Sequence, residues 1–470
     1  MVTQDFTDAL ISIVDKENVD DSKAGRLVYS YDATPQFQSM PDIVVSPRNT
    51  KEISEIVKLC SEYKVPIVPR GSGTNLCAGT CPTEGGLVLL FKHMNQILEI
   101  DEENLTVTVQ PGIITLEMIH AVEDKGLFYP PDPSSMKIST IGGNINENSG
   151  GLRGLKYGVT RDYVLALEIV LPNGDIIRTG GKLAKDVAGY DLTRLFVGSE
   201  GTLGIITEAT LKLIPMPETK KTMLALYQDL EAAARSVSKI IANKIIPTTL
   251  EFLDQPTLIA VEDFANIGLP TNVKAVLLIE QDGSSDVVEK DMKEMASICL
   301  EESAESVQVA GSEEEADALR TARRTALSAL ARLKPTTILE DATVPRSEIA
   351  KMVRAINEIA QKYQLNICTF GHAGDGNLHP TCPTDIRNHE EIERVEQAFA
   401  EIFAKAIELG GTITGEHGVG VMKAPYLEWK LGQEGIAAMK AIKSSFDPLN
   451  IMNPGKVFAK DNRKRVVVTK

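Results

Sequence analysis

Histidine and glutamate occur among closely spaced glycines in two segments near the end of the chain, residues 371–379 and 414–420. Glycine there adds no side-chain packing, so it usually marks a special backbone angle or a close approach to a ligand. Two imidazoles and a carboxylate suit a divalent metal, Fe2+, Zn2+ or Mn2+, with open coordination positions. We therefore predict His372, His379 and Glu416 as metal ligands. The alternative is that both segments are tight turns in which histidine has no chemical role.

His417 follows the predicted ligand Glu416 directly. An imidazole titrates near neutral pH, so a ring that does not bind the metal can act as a general base. A metal-dependent hydrolase, in which the three ligands activate a water molecule, is one alternative for these residues. A hydrolase of this kind would have no use for the glycine-rich segments that also occur in the amino-terminal half of the chain.

Three further glycine-rich segments lie in the amino-terminal half, at residues 69–75, 141–151 and 198–207. The first follows directly on a predicted strand and reads Pro-Arg-Gly-Ser-Gly-Thr-Asn. Small consecutive residues let backbone N–H groups face a diphosphate, and the hydroxyl and amide side chains add further donors. It is not the dinucleotide-binding fingerprint, because Leu76 stands where a third glycine is needed. Each segment alone could be a tight turn, but together they predict a nucleotide site.

Apolar periodicity predicts the elements that position these segments. Residues 42–69 are expected to form a strand, a helix beginning near Asn49, and a second strand. Strands are predicted over 163–171 and 176–179, joined by a hairpin turn. After two prolines near residue 215, strands and helices alternate as in an α+β domain with an antiparallel sheet. One long helix is predicted over 313–333.

Size and charge limit the functional classes. A chain of 470 residues suggests two or three domains, and its net charge of −16 disfavours binding to nucleic acid or to an anionic membrane surface. The first residues lack the basic and apolar pattern of a signal peptide, and no apolar run is long enough for a membrane span. The six cysteines form no Cys-x-x-Cys pair, so neither an iron–sulfur cluster nor a disulfide framework is predicted. We expect a cytoplasmic location.

The order of the motifs resembles the flavin-binding vanillyl-alcohol-oxidase (PCMH-type) superfamily, on its branch of glycolate oxidase catalytic subunits and D-lactate dehydrogenases. The motifs that carry the resemblance are Arg70-Gly-Ser-Gly-Thr-Asn75, Pro130-Pro-Asp132-Pro133, Ile141-Gly-Gly143, Gly198-Ser-Glu-Gly-Thr-Leu-Gly204 and Asn453-Pro-Gly-Lys456. The resemblance implies an α+β protein in three parts. A two-subdomain FAD-binding domain would span residues 1–217 and a substrate cap with an antiparallel sheet residues 218–415. Residues 416–470 would return to the FAD domain.

The resemblance also implies that FAD is the cofactor. Some members attach it through a histidine of the first loop, where this chain has Ser72, so we expect non-covalent FAD. The residues predicted to contact FAD are Arg70, Gly71, Ser72, Gly73, Thr74, Asn75, Pro131, Asp132, Ser139, Thr140, Gly142, Gly143, Asn144, Gly201, Gly204, Ile205, Ile206 and Asn453.

The implied reaction is oxidation of a small 2-hydroxy acid, D-lactate or glycolate, to the 2-oxo acid by hydride transfer to N5 of FAD. In the family pattern His417 is the general base, and Arg323 binds the substrate carboxylate. Members that oxidise 2-hydroxyglutarate hold its second carboxylate with a Thr and a Lys. Here Leu327 and the apolar pair Ile338 and Leu339 occupy those places, which disfavours D-2-hydroxyglutarate as the alternative substrate.

Reduced FAD must pass its electrons onward, and the sequence has no cysteine motif for an internal relay. The family offers an electron-transfer flavoprotein, an iron–sulfur subunit, or a quinone reached through a membrane complex, and we expect an electron-acceptor protein of one of the first two kinds. An oxidase that uses O2 and a non-catalytic flavin-binding subunit are alternatives. The presence of His417 beside a full set of metal ligands argues against the second, because a scaffold has no use for a base.

Overall fold

The computed structural model describes residues 2–34 and 36–458. The helices α1 to α15 span Gln4–Val14, Lys23–Val28, Thr50–Tyr63, Thr115–Glu123, Ile141–Glu147, Gly154–Tyr157, Leu192–Phe196, Leu230–Ala242, Gln255–Ala265, Ser285–Glu301, Glu313–Arg324, Ala326–Leu330, Ile349–Tyr363, His389–Glu408 and Leu427–Phe446. The strands β1 to β19 span Val19–Asp20, Ile43–Val45, Ile67–Arg70, Leu87–Leu90, Ile97–Asp101, Thr106–Val109, Leu127–Phe128, Val164–Val170, Ile176–Gly180, Ile205–Lys212, Ile214–Pro215, Thr219–Tyr227, Thr249–Asp254, Ala275–Gly283, Ser306–Val309, Thr336–Leu339, Ala342–Thr343, Cys368–His372 and Asn377–Thr384.

The first sheet has the strand order β1-β2-β4-β3, in which β2, β4 and β3 are parallel. The predicted strand–helix–strand unit over residues 42–69 is confirmed as β2, α3 and β3. Helix α3 begins after Asn49, whose side chain accepts a hydrogen bond from the backbone N–H of Glu52. The carboxy-terminal segment joins this sheet, because the N–H of Ile67 donates to the carbonyl of Ile451 at 2.7 Å and that of Asn453 to Ile67 at 2.8 Å.

The second sheet is antiparallel, with the order β5-β6-β10-β8-β9. The predicted hairpin over residues 163–179 is confirmed as β8 and β9. Helices α4 and α5 pack on this sheet through one apolar cluster, to which they contribute Met118, Ile119, Val122, Ile141 and Ile145. Since α5 follows directly on the loop that carries Thr140, the packing fixes that loop beside the end of β3.

The large sheet has the order β15-β12-β14-β13-β18-β19-β16, with all pairings antiparallel, and β17 pairs with β19. Alternate residues of a strand face opposite sides of a sheet. Along β14, Leu277 and Ile279 pack with helices α8, α10, α13 and α14, whereas Val276 and Leu278 pack with α9 and α12. Because both faces of the sheet are covered, the first five residues of β14, 275–279, are all apolar. The predicted antiparallel α+β cap is confirmed.

One local prediction was wrong. The single helix expected over residues 313–333 is two helices, α11 and α12, separated at Thr325. The hydroxyl of Thr325 donates to the carbonyl of Ala322 at 2.8 Å, and such bonds bend helices. Residues 371–379 belong to the hairpin of β18 and β19, closed by a single 3-10 turn. The limits of the three predicted parts of the chain stay a prediction.

Candidate active site

A cavity of about 490 Å³ connects the glycine loop after β3 with the histidine and glutamate residues of the large sheet. The predicted site residues that line it are Gly71, Ser72, Gly73, Thr74, Asn75, Thr140, Gly143, Asn144, Arg323, His372, His379, Glu416 and His417. The two groups of residues that the sequence suggested separately, one for a nucleotide and one for a metal, therefore face the same space.

The loop of residues 70–75, called here the cradle, is shaped by glycine. A Cβ atom on Gly71 would lie 2.2 Å from Oγ1 of Thr140, and Gly73 has a φ of +73°. Beneath the loop, the Arg70 guanidinium is buried and lies 5.6 Å from the centre of the Tyr29 ring. Close packing and a left-handed backbone angle together exclude larger side chains here.

Polar atoms without protein partners mark the cavity walls as a ligand site. Oδ1 of Asn75 accepts from two backbone N–H groups, but its Nδ2 is buried without a hydrogen-bond partner. A second cavity of about 50 Å³ is lined by ten predicted cofactor residues: Arg70, Gly71, Thr140, Gly142, Gly143, Gly201, Gly204, Ile205, Ile206 and Asn453. Oδ1 of Asn453 is also buried without a partner. Buried polar groups are normally satisfied, so these atoms fit a polar cofactor such as FAD.

Three predicted cofactor residues are buried but do not line either cavity: Pro131, Asp132 and Ser139. The Asp132 carboxylate pairs with Arg324 of α11 at 2.8 Å and lies 3.6 Å from Arg153. Asp132 therefore connects the amino-terminal half of the chain to the helix that carries Arg323.

The predicted metal ligands lie together. Their ligand atoms are all within 4.8 Å of one another, and Oε1 of Glu416 lies 3.0 Å from Nε2 of His372 and 3.2 Å from Nε2 of His379. Two nitrogen atoms and one oxygen atom at this spacing fit a divalent metal of the Fe, Zn or Mn type. Burial would raise the pKa of Glu416, but both histidines outweigh it and lower that pKa well below its usual range. Burial would also lower the pKa of His372, but Glu251 and Glu416 on either side raise it.

His417 lies beside these ligands, and its ring stacks on His379 with 5.0 Å between ring centres. Burial lowers the pKa of His417 to about 4, so its ring is neutral at neutral pH. Its Nδ1 atom is 3.5 Å from Asp341, whose carboxylate also accepts hydrogen bonds from the backbone N–H groups of Gly415, Glu416 and His417. Asp341 thus fixes the turn that carries both a predicted ligand and the predicted base.

A second buried carboxylate holds the other end of the same turn. Glu200 accepts hydrogen bonds from the backbone N–H groups of Val419 at 2.8 Å and Gly420 at 2.7 Å. Sequence reasoning did not identify Glu200 or Asp341 as site residues. Glu200 stands inside the recognised motif of residues 198–204, so an acidic residue in an otherwise glycine-rich motif was the available signal there.

Arg323 of α11 is buried against the cavity. Its Nε atom lies 2.5 Å from Oε2 of Glu251, and its guanidinium lies 4.8 Å from the centre of the Phe370 ring. This contact is an ion pair without hydrogen-bond geometry, and Nη2 is buried without a hydrogen-bond partner. Glu251 was missed by sequence reasoning, because nothing in the apolar strand β13 indicates which residue its carboxylate meets.

Two of the apolar residues that the sequence placed where a second carboxylate would be held also belong to the cavity wall. Leu327 and Leu339 both line the cavity, together with Phe370. Ile338 instead packs in the apolar cluster of the opposite sheet face.

All six cysteines are buried and unpaired. In the part of the chain that the structure describes, no helix combines the length and apolar character needed to cross a bilayer.

Comparison with known proteins agrees with this geometry. Residues 41–180 match the FAD binding domain family, and residues 216–457 match the family described as FAD linked oxidases, C-terminal domain. The chain is 78% identical to "Glycolate oxidase subunit GlcD" of Bacillus subtilis (strain 168), over 99% of both chains. It is 38% identical to "D-lactate dehydrogenase" of Anaerostipes hadrus, over 89% of this chain and 90% of that protein.

Solved structures show the same fold at low sequence identity. A substrate-bound p-cresol methylhydroxylase superposes with a TM-score of 0.81 at 18% identity, covering 97% of this chain and 98% of the other. An alkyldihydroxyacetonephosphate synthase gives a TM-score of 0.76 at 19% identity, covering 97% and 86%. The predicted resemblance to the vanillyl-alcohol-oxidase fold is confirmed, and the chain belongs to the family of FAD-linked oxidases.

Proposed function

We propose that this protein oxidises a small 2-hydroxy acid, D-lactate or glycolate, to the 2-oxo acid and passes the electrons to a partner protein. One observation carries the proposal: a single cavity contains the cradle, a buried guanidinium edge, an imidazole and a three-residue ligand cluster. Relatives at 78% and 38% identity bear the names of a glycolate oxidase subunit and a D-lactate dehydrogenase, which supports it.

Arg323 is the group that binds the substrate carboxylate. Its Nη2 atom is buried without a hydrogen-bond partner, whereas Nε is ion-paired with Glu251. A planar guanidinium with one free edge selects both the charge and the orientation of a carboxylate. The substrate is therefore held by its acid group, with its hydroxyl carbon directed toward the rest of the cavity.

His417 is the base that takes the hydroxyl proton. Its Nδ1 atom faces Asp341, which leaves Nε2 to accept a proton from the substrate. The residues that would hold a divalent metal are His372, His379 and Glu416. When bound, the metal supplies Lewis acidity toward the substrate oxygens, and FAD supplies the redox centre that accepts the hydride.

Two leucines of the cavity wall favour a substrate with one carboxylate. Leu327 and Leu339 offer no partner to a second acid group, and burying an unpaired carboxylate is strongly unfavourable. A methyl or hydrogen substituent meets that wall without penalty. This supports D-lactate or glycolate over D-2-hydroxyglutarate.

The electron acceptor is a separate protein, either an electron-transfer flavoprotein or an iron–sulfur subunit. The relative that is 78% identical is named as a subunit, which supports an assembly of this kind. The sequence itself carries no Cys-x-x-Cys motif for an internal iron–sulfur relay.

An anaerobic titration of the FAD absorbance tests the proposal. D-lactate or glycolate should bleach the flavin, while D-2-hydroxyglutarate and L-lactate should leave it yellow. Metal analysis of the same sample and a peroxide assay in air would separate a metal-dependent dehydrogenase from an oxidase. Bleaching by the dicarboxylate alone, or by none of these acids, would contradict the assignment.

A further inference from the structure

Glu251 lies at the centre of strand β13 with a relative exposure of 0%, and its two carboxylate oxygens contact two different functional side chains. Oε1 is 2.7 Å from Nδ1 of His372, and Oε2 is 2.5 Å from Nε of Arg323. We infer that Glu251 is a positioning residue that orients a metal ligand and the substrate-binding arginine at once. It touches neither the cavity nor a reacting atom, so it acts only through these two partners.

Burial makes this arrangement specific. A carboxylate removed from water is unfavourable unless both oxygens find charged or hydrogen-bonding partners, and here each oxygen has one. The same contacts restrict the positions of both partner side chains. His372 ends a strand and Arg323 belongs to a helix, and these two elements are far apart in sequence. The carboxylate therefore fixes the distance between the two parts of the site.

On the histidine side, the contact selects the ring form that can bind a metal. A carboxylate at Nδ1 holds the proton on that nitrogen and leaves the lone pair on Nε2. Nε2 is the atom that lies 3.0 Å from Oε1 of Glu416 within the ligand cluster. Glu251 thus supports metal binding without being a ligand.

On the arginine side, the contact occupies the Nε edge of Arg323 and leaves Nη2 for the substrate. This half of the inference rests on the proposed function, whereas the histidine half does not. Loss of Glu251 should misplace the guanidinium while leaving its charge to attract an anion. We therefore expect a large fall in kcat with a smaller change in KM.

The test compares Glu251→Gln with Glu280→Gln. Glu280, on the adjacent strand β14, forms a buried ion pair with Arg320 of α11 at 2.7 Å, so the control removes a similar pair from the same sheet and helix. Metal-free protein is titrated with Zn2+ against a chelator. The Glu251 variant should bind Zn2+ about 10–100-fold more weakly than wild type, and the Glu280 variant should bind it as wild type does.

Zn2+ affinities within twofold in all three proteins, or wild-type protein that binds no Zn2+, would overturn the inference. If Glu251→Gln does not fold, Glu251→Asp decides, because it keeps the charge but is too short for both contacts. The Asp variant should also lose at least about tenfold in Zn2+ affinity, and wild-type affinity there would refute the inference. Since the titration needs no substrate, its result stands even if no 2-hydroxy acid bleaches the flavin.

Discussion

The cradle and the ligand cluster lie in one cavity but are built in opposite ways. The cradle is a contiguous run, residues 70–75, in which glycine backbone geometry makes the surface. The cluster is made of side chains from β18, β19 and the turn at 414–420, and their orientation is set by buried carboxylates elsewhere. A backbone site depends on local composition, whereas a side-chain site depends on partners that only folding brings near.

Two buried lysines show the same contrast. Burial would lower the pKa of Lys423 beside the cluster, but direct contact with Asp341 and the nearby Glu340 raises it. Lys456, in the carboxy-terminal segment that joins the first sheet, donates to the carbonyl of Cys81 at 2.6 Å, and burial lowers its pKa to about 8. Ion pairs therefore outweigh burial at Lys423, whereas burial dominates at Lys456.

Substitution of the proposed base, His417, should slow flavin reduction without changing FAD binding. In His417→Ala, the rate of flavin reduction by the preferred 2-hydroxy acid should fall by about 10²–10⁴-fold, because proton transfer from the hydroxyl loses its acceptor. FAD content should not change. Stopped-flow absorbance measures the rate, and the exposed His120→Ala serves as control. A fall of less than about tenfold would refute the assignment of His417 as base.

Removing the uncompensated lysine should alter the pH dependence of stability. In the folded protein Lys456 loses its proton near pH 8, whereas in the unfolded chain it does so near 10.5. The unfolded state therefore binds more protons between these values, and the contribution of Lys456 to the free energy of unfolding rises with pH, by about 3 kcal/mol at most.

In Lys456→Met this rise should be absent. Urea unfolding of both proteins at about pH 7 and about pH 10 gives the difference between their free energies of unfolding at each pH. The contributions of the titrating groups that both proteins share cancel in this difference. The free energy of unfolding of the variant should fall relative to that of wild type as the pH is raised. A difference that is the same at both values would show that Lys456 keeps an ordinary pKa.

A single methyl group in the cradle should weaken FAD binding while sparing the cluster. In Gly73→Ala, the added Cβ would lie 2.2 Å from the Arg70 guanidinium at a φ of +73°. We therefore expect the FAD dissociation constant to rise about tenfold, while the Zn2+ affinity does not change. The control is Gly126→Ala, which has a φ of +71° with no atom within 4 Å. Equal loss of FAD affinity in both variants would show that backbone strain alone, and not the contact with Arg70, weakens FAD binding.

Local pattern was enough for much of the fold. The helix after Asn49, the hairpin of β8 and β9, and the antiparallel cap follow from periodicity and turn residues. It was not enough at Thr325, where the hydroxyl donates a hydrogen bond to the preceding turn. The composition of the segment predicts one continuous helix, but the helix is divided at this residue. Helices α13 and α14, which cover the large sheet, were not predicted.

The sequence by itself determined the FAD-linked oxidase family, the glycine cradle, and the identity of the histidine and glutamate residues that meet in the cavity. Only the tertiary structure decided that Glu251, Asp341 and Glu200 hold those residues in place. The physical reason is that a glycine turn is specified by its own backbone angles, while a buried carboxylate takes its role from whichever charges the folded chain brings within hydrogen-bond distance.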